Sequence, residues 1–223
     1  MNYLKYLSDW SEVWILIFPF IGFLSKRNQP AFMKPVFVYL WIAFLCNIIC
    51  DGMWLVLDYI PKEFRSNTVF YNIHSLSRFT CFAAFFLQLK QKDYQWLQKI
   101  LIILFSIITL FYFSFIDSFF NKNYISSDMM SGESFFLLFF CMLYYLSILK
   151  SDIQQFSQRK DFWIITGISI FSVINFFIFL FYQPLLIENR NLAEQIWTLH
   201  NIAFIIFIIF ITKAIYVPHT NKH

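Results

Sequence analysis

Long, nearly unbroken apolar runs constrain this chain more than any other feature. Residues 101–113 and 202–211 carry no charge at all. Lipid offers no water to unpaired backbone groups, so an apolar run of about 20 residues must close its hydrogen bonds internally as a helix. Barrel strands would instead alternate apolar and polar side chains over about ten residues, and these runs do not alternate. The pattern predicts seven membrane helices, at 10–24, 35–59, 68–89, 96–115, 131–149, 162–182 and 195–216. The first is marginal: it is short and contains Pro19 and Gly22.

Composition agrees. The chain is 59% hydrophobic and 13% charged, against about 25% charged in a soluble domain. That excludes a disordered chain, a collagen-like chain and a nucleic-acid binder built on a basic patch. The expected fold class is all-α, a polytopic bundle of seven transmembrane helices forming one domain over residues 1–223. No segment between spans is long enough to fold as a soluble domain. The first apolar stretch lacks the basic run and small-residue cleavage site of a secretory signal, so it is expected to stay in the mature protein.

Basic residues in short loops stay on the cytoplasmic side. Lys26, Arg27, Lys34, Lys90, Lys92, Lys99, Lys150, Arg159, Lys160, Lys213 and Lys222 fall on one side, eleven in all. Lys5, Lys62, Arg65, Lys122 and Arg190, five in all, fall on the other. The N-terminus is therefore expected outside and the C-terminus in the cytoplasm, in a multi-pass inner-membrane protein. Trp10, Trp54 and Trp197 then fall toward outer ends, and Trp41, Trp96 and Trp163 toward inner ends. The four cysteines (Cys46, Cys50, Cys81, Cys141) lie within spans and read as small apolar fillers.

Polar groups inside spans are costly and face the bundle interior, so they carry the functional information. At 1.5 Å per residue, Asp51 lies roughly 12 Å from the outer end of its span, His74 about 9 Å, Asn175 about 10 Å, His200 about 8 Å and Arg78 about 15 Å. Asn201 follows His200. These six residues define an expected ligand-binding cavity in the outer half of the bundle. Asp51 and Arg78, at similar depth on neighbouring helices, are expected to pair. Glu133, near the start of its span, is expected at the membrane interface. Asn47, Asn72 and the serines read as helix–helix glue. Two membrane histidines beside Arg78 make a poor metal site, so neither a metal nor another cofactor is expected.

Seven spans with the N-terminus outside is also the topology of opsins and G-protein-coupled receptors. A rhodopsin needs a lysine in the middle of the last span, and the only lysine there is Lys213, at its cytoplasmic end. The third span ends Leu87-Gln88-Leu89-Lys90, without the receptor triplet. Seven-helix lipid hydrolases carry H-x-x-x-H in the last span, where His200 is followed by Phe204. The segments Phe162-Trp163-Ile164-Ile165-Thr166-Gly167-Ile168 and Ile196-Trp197-Thr198-Leu199-His200-Asn201-Ile202 resemble small multi-span proteins of Bacteroidota encoded beside sensor histidine kinases. That resemblance implies a signalling neighbourhood and no particular activity. The functional expectation is a sensor or receptor-like subunit. It binds a small or lipidic ligand in the outer cavity and signals through a membrane or cytoplasmic protein partner. An intramembrane hydrolase built on His74 and His200, or a small transporter or assembly subunit, is the alternative.

Overall fold

A computed structural model describes residues 10–61, 65–89, 91, 93–121, 125–150 and 156–218. Lys5, Lys62, Lys90, Lys92, Lys122 and Lys222 lie outside these residues, as does the side chain of Trp54. The described residues form helices and no strand. In chain order these are α1 (Ser11–Trp14), α2 (Ile17–Ser25), α3 (Met33–Leu55), α4 (Thr68–Gln88), α5 (Gln95–Phe111), α6 (Ser127–Leu149), α7 (Lys160–Glu188) and α8 (Arg190–Tyr216). Short 3-10 turns occur at Leu57–Tyr59 and Phe156–Gln158, and α5 ends in a π turn at Tyr112–Ile116. Among them, α3, α5, α6, α7 and α8 are long and apolar enough to cross a membrane.

The remaining long helix, α4, is the most informative. It has the length of a span, but Asn72, His74, Ser75 and Arg78 lower its hydropathy, and all four are buried. A helix that turns polar groups inward among apolar neighbours belongs at the bundle centre. By contrast, only 11% of the α5 span is buried, against 39% for α3, 44% for α8 and 50% for both α6 and α7. Ile103, Leu104, Ile107, Leu110 and Phe111 of α5 are exposed, which fits a peripheral helix bathed in acyl chains. Its anchor is Phe105, stacked on Phe79 of α4 at 3.7 Å between centroids.

The first apolar stretch is broken at Ile15 and Leu16, so it forms two short helices rather than one span. Together they still run along α8. Glu12 lies beside His200 in the first half of α8, and Gly22 packs on Ile215 and Tyr216 near its end. His200 to Ile215 is roughly 22 Å of helix, most of a bilayer core of about 30 Å.

Several helix boundaries differ from the sequence expectation: α8 starts at Arg190 rather than 195, and α3 ends at Leu55 rather than 59. The α6 helix starts at Ser127, a full turn before residue 131, and α7 runs on through Pro184 to Glu188. Between α7 and α8 stands the single residue Asn189. Its N–H caps Leu185 O at 2.8 Å, while its side chain accepts from Leu192 N at 3.2 Å, ending one helix and starting the next.

The basic end of the bundle is pinned. Lys160 Nζ donates to Ala214 O at 3.2 Å and Ile215 O at 2.8 Å, carbonyls left open by the end of α8. Gln29 Nε2 adds a bond to Ile215 O at 3.3 Å. Lys213 Nζ sits 3.3 Å from the centroid of the Trp163 ring. Arg159 binds Asp161 at 2.5 Å, and Tyr144 OH donates to the same carboxylate at 3.0 Å. Lys160→Met is expected to cost about 1–2 kcal/mol through the loss of two charge-assisted caps. Thermal unfolding in micelles checks the loss, and hydrogen exchange should place it in the last turn of α8.

Candidate functional site

Polar side chains from six helices meet inside the bundle, in two clusters divided by aromatic rings. The first cluster is built on Arg78. Its Nε donates to Glu133 Oε1 at 2.6 Å and its Nη2 to Glu133 Oε2 at 2.7 Å, a two-pronged ion pair. Ser75, on the same face of α4, donates to Glu133 Oε2 at 2.5 Å. Glu133 is fully buried and Arg78 is 4% exposed. The guanidinium also lies 4.8 Å over the Phe171 ring. On its other side Tyr39, fully buried on α3, stacks on His74 and shares a hydrogen bond with His74 Nε2 at 3.3 Å.

This arrangement corrects two expectations. Arg78 pairs with Glu133, not with Asp51. Glu133 is a core residue and not an interfacial one. The early start of α6 explains both: it moves Glu133 from about 3 Å to about 9 Å below the helix end, within reach of the long Arg78 side chain. Asp51 is half-buried on α3, near Cys50 and Tyr71.

The second cluster is built on His200, 7% exposed, and Glu12, 8% exposed. Glu12 Oε1 lies 3.3 Å from His200 Nε2. The backbone carbonyl of Glu12 accepts from Asn47 Nδ2 at 3.3 Å. Asn201, with its amide turned as the surrounding acceptors require, donates to Glu12 Oε1 at 3.1 Å and to Trp197 O at 3.3 Å. His200 Nδ1 meets Asn175 Oδ1, and Asn175 Nδ2 donates to Phe171 O at 2.8 Å.

That last bond fixes the proton count. Because the Asn175 amide nitrogen is committed to Phe171 O, its oxygen faces His200 and can only accept. His200 Nδ1 therefore carries a hydrogen. In a neutral imidazole the other nitrogen, Nε2, then presents a lone pair, and a lone pair facing a carboxylate oxygen is repulsive. The Glu12–His200 contact is attractive only with one additional proton between the two groups, as imidazolium with carboxylate or imidazole with carboxylic acid.

The sequence placed Asp51 in one cavity with five others, His74, Arg78, Asn175, His200 and Asn201. The structure divides those five between the two clusters. Phe171 lies 5.8 Å from His200, Phe204 lies 6.4 Å from His74, and the two phenyl rings are 6.1 Å apart. The histidines thus share an aromatic partition rather than a hydrogen bond, and neither faces lipid. Asn47 and Asn72 each donate to a backbone carbonyl, of Glu12 and of Phe119 at 3.0 Å respectively. Sequence reasoning missed Glu12 and Tyr39. A carboxylate inside an apolar stretch was a signal in itself, but the weakness of the first stretch as a span drew attention from it. Tyr39 carried no signal beyond its period.

A separate groove of about 500 Å³ lies between α4 and α5, lined by Thr80, Ala84, Ile102, Ser106 and Thr109 among others. None of the six expected site residues lines it. Among the described residues, no group of three or more His, Cys, Asp or Glu is placed to hold a metal ion. The four cysteines are free and buried.

The fold and these clusters define the class: an all-helical, apolar bundle of membrane type, with ionisable groups enclosed among its helices. No family profile, curated protein or solved structure matches the chain.

Proposed function

We propose that this protein is a sensor or receptor-like membrane subunit whose ligand is read by the outer cluster around His200. The observation that carries this reading is the convergence of Glu12, Asn47, Asn175, His200 and Asn201, from four helices, on one ionisable contact. A structural tie between helices needs one hydrogen bond. Here three side chains hold a carboxylate residue and a fourth sets the tautomer of its partner. The deeper Arg78–Glu133 pair has its own bonds completed internally and serves as the clamp beneath the site.

In this reading the chain crosses the inner membrane seven times, with α1 and α2 acting together as the first crossing and the N-terminus outside. The outer cluster then faces the extracytoplasmic side. The described connections between helices are short, so output falls to a membrane or cytoplasmic partner. A sensor kinase fits the neighbourhood implied by the sequence resemblance. Helix α8 carries both His200 and the carbonyls held by Lys160, so a shift of α8 at the outer end reaches the pinned inner end.

Two experiments test this. Reporter fusions after Lys26, Lys150 and Tyr216 are expected to be cytoplasmic, and those after Arg65 and Arg190 extracytoplasmic. An extracytoplasmic reporter after Lys150 contradicts the topology. For the site, purified wild-type protein and His200→Ala are heated with fractions of spent medium and lipid extract. At least one fraction is expected to raise the wild-type unfolding temperature by several degrees, as a ligand near 100 times its Kd does, and to leave His200→Ala unmoved. No stabilising fraction, or equal stabilisation of both proteins, contradicts the reading. Conversion of the stabilising compound to a product favours the hydrolase.

A further inference from the structure

The α1 helix is unusual in which of its residues it hides. Of its four residues the two polar ones, Ser11 and Glu12, are buried, while Val13 and Trp14 are half-buried. Burying a carboxylate is costly unless donors await it. Donors do await it, and they belong to other helices: Asn201 and His200 on α8 hold the side chain, and Asn47 on α3 holds the backbone behind it. Rings enclose the same place, with Phe179 at 5.3 Å and Trp197 at 5.1 Å from the His200 ring. This is the anatomy of a binding site, a few convergent polar groups in an aromatic wall, and the occupant is the chain itself.

We propose that the recess formed by His200, Asn201 and Asn175 is a carboxylic-acid site, occupied here by Glu12, and that the ligand is a carboxylic acid on an apolar body that displaces it. This deepens the sensor reading and rests on it. Asn175 fixes a hydrogen on His200 Nδ1, so Nε2 accepts a carboxylate only together with a proton. The recess therefore takes up the acid as a neutral unit, carboxylate plus proton, which also suits an apolar surrounding. The bond to Nε2 forms with one proton taken from solvent or brought by the acid, and Glu12 leaves with its own proton or releases it. The other titratable groups around the recess are Tyr71 and His74 of α4, Cys50 and Asp51 of α3, and Tyr182 of α7. Arg78 of α4, on the far side of Phe171, is committed to Glu133 and does not replace the proton. An ester brings no proton for Nε2 and is excluded by the same geometry.

Chemical rescue tests this on the full chain in micelles. Glu12→Ala empties the recess of its carboxylate. Sodium acetate at 50 mM is expected to raise the unfolding temperature of Glu12→Ala by about 3 °C or more at pH 5.5, and by much less at pH 8, through binding linkage. Methyl acetate, which brings no proton for Nε2, should give no shift, and Glu12→Ala/His200→Phe should ignore both. Equal action by acetate and methyl acetate, an equal shift in the double variant, or no shift at either pH overturns the proposal. Should Glu12→Ala not fold, the wild type answers instead. Octanoate is expected to speed backbone hydrogen exchange at residues 11–16 at least tenfold while methyl octanoate does not, and a lack of difference between them overturns it. The two readings fail separately. If a neutral fraction stabilises the wild type through His200 while octanoate does nothing, the sensor reading stands and the carboxylic-acid assignment falls.

Discussion

Arg78→Leu is expected to be the most damaging single substitution in the chain, with a loss of about 3–5 kcal/mol. The cause is not the missing attraction but what remains. Glu133 is fully buried and would keep Ser75 as its donor while losing both guanidinium bonds. An uncompensated carboxylate among apolar helices has no water to turn to. Glu133→Leu should cost a similar amount by stranding the guanidinium. The double variant Arg78→Leu/Glu133→Leu removes both charges and should recover most of the loss, as replacement of buried ion pairs by apolar side chains often does. Reversible unfolding in mixed micelles measures all three. Additive losses, with no coupling between the sites, would show that the residues are not partners.

The second large effect is expected at Gly167, where α7 meets α8. A Cβ there would stand 2.7 Å from Phe210 Cβ and 3.3 Å from the Phe207 carbonyl oxygen. Neither atom is the end of a flexible side chain, so the two helices must separate. Small residues at helix contacts in membranes serve this close approach. In an open helix Gly→Ala gains up to about 1 kcal/mol. Gly167→Ala should instead lose about 1–3 kcal/mol through overpacking, and Gly167→Val more. Gly132→Ala, with nothing within 4 Å of the added carbon, is the control and should lose nothing. The reversal of sign between two glycines of one bundle is the readout, again from unfolding in micelles.

Much of the fold was legible because lipid leaves a chain few choices. The apolar runs beginning near Met33, Thr68, Gln95, Lys160 and Arg190 could only be helices, and they are. Depth along each helix could be counted too, which is why His200, Asn175 and Asn201 do meet. Partners were less legible. The pairing of Arg78 turned on where α6 begins. Placing its start four residues late raised Glu133 by about 6 Å, enough to move it from the core to the interface and make Asp51 the nearer acid. Helix starts are set by local features such as the turn at Ser126 and Ser127, which hydropathy does not register. Rotation about the helix axis was the other gap. Counting depth put His74 and His200 on one level, but only packing shows Phe171 and Phe204 standing between them. Glu12 was hidden for a third reason: its helix is four residues long, shorter than any period a sequence pattern can display.

Central to the sensor reading is an outer cluster that opens to the extracytoplasmic side behind a plug formed by α1. Cysteine accessibility at Asn201 tests it directly. With Cys46, Cys50, Cys81 and Cys141 replaced by Ala, Asn201→Cys is placed in the wild-type and Glu12→Ala backgrounds and treated with a membrane-impermeant maleimide. In spheroplasts, where the reagent meets only the outer face, slow labelling is expected with Glu12 present, and labelling at least tenfold faster without it. In inverted vesicles neither protein should label. Labelling from the inverted side, or equal rates with and without Glu12, would contradict the account.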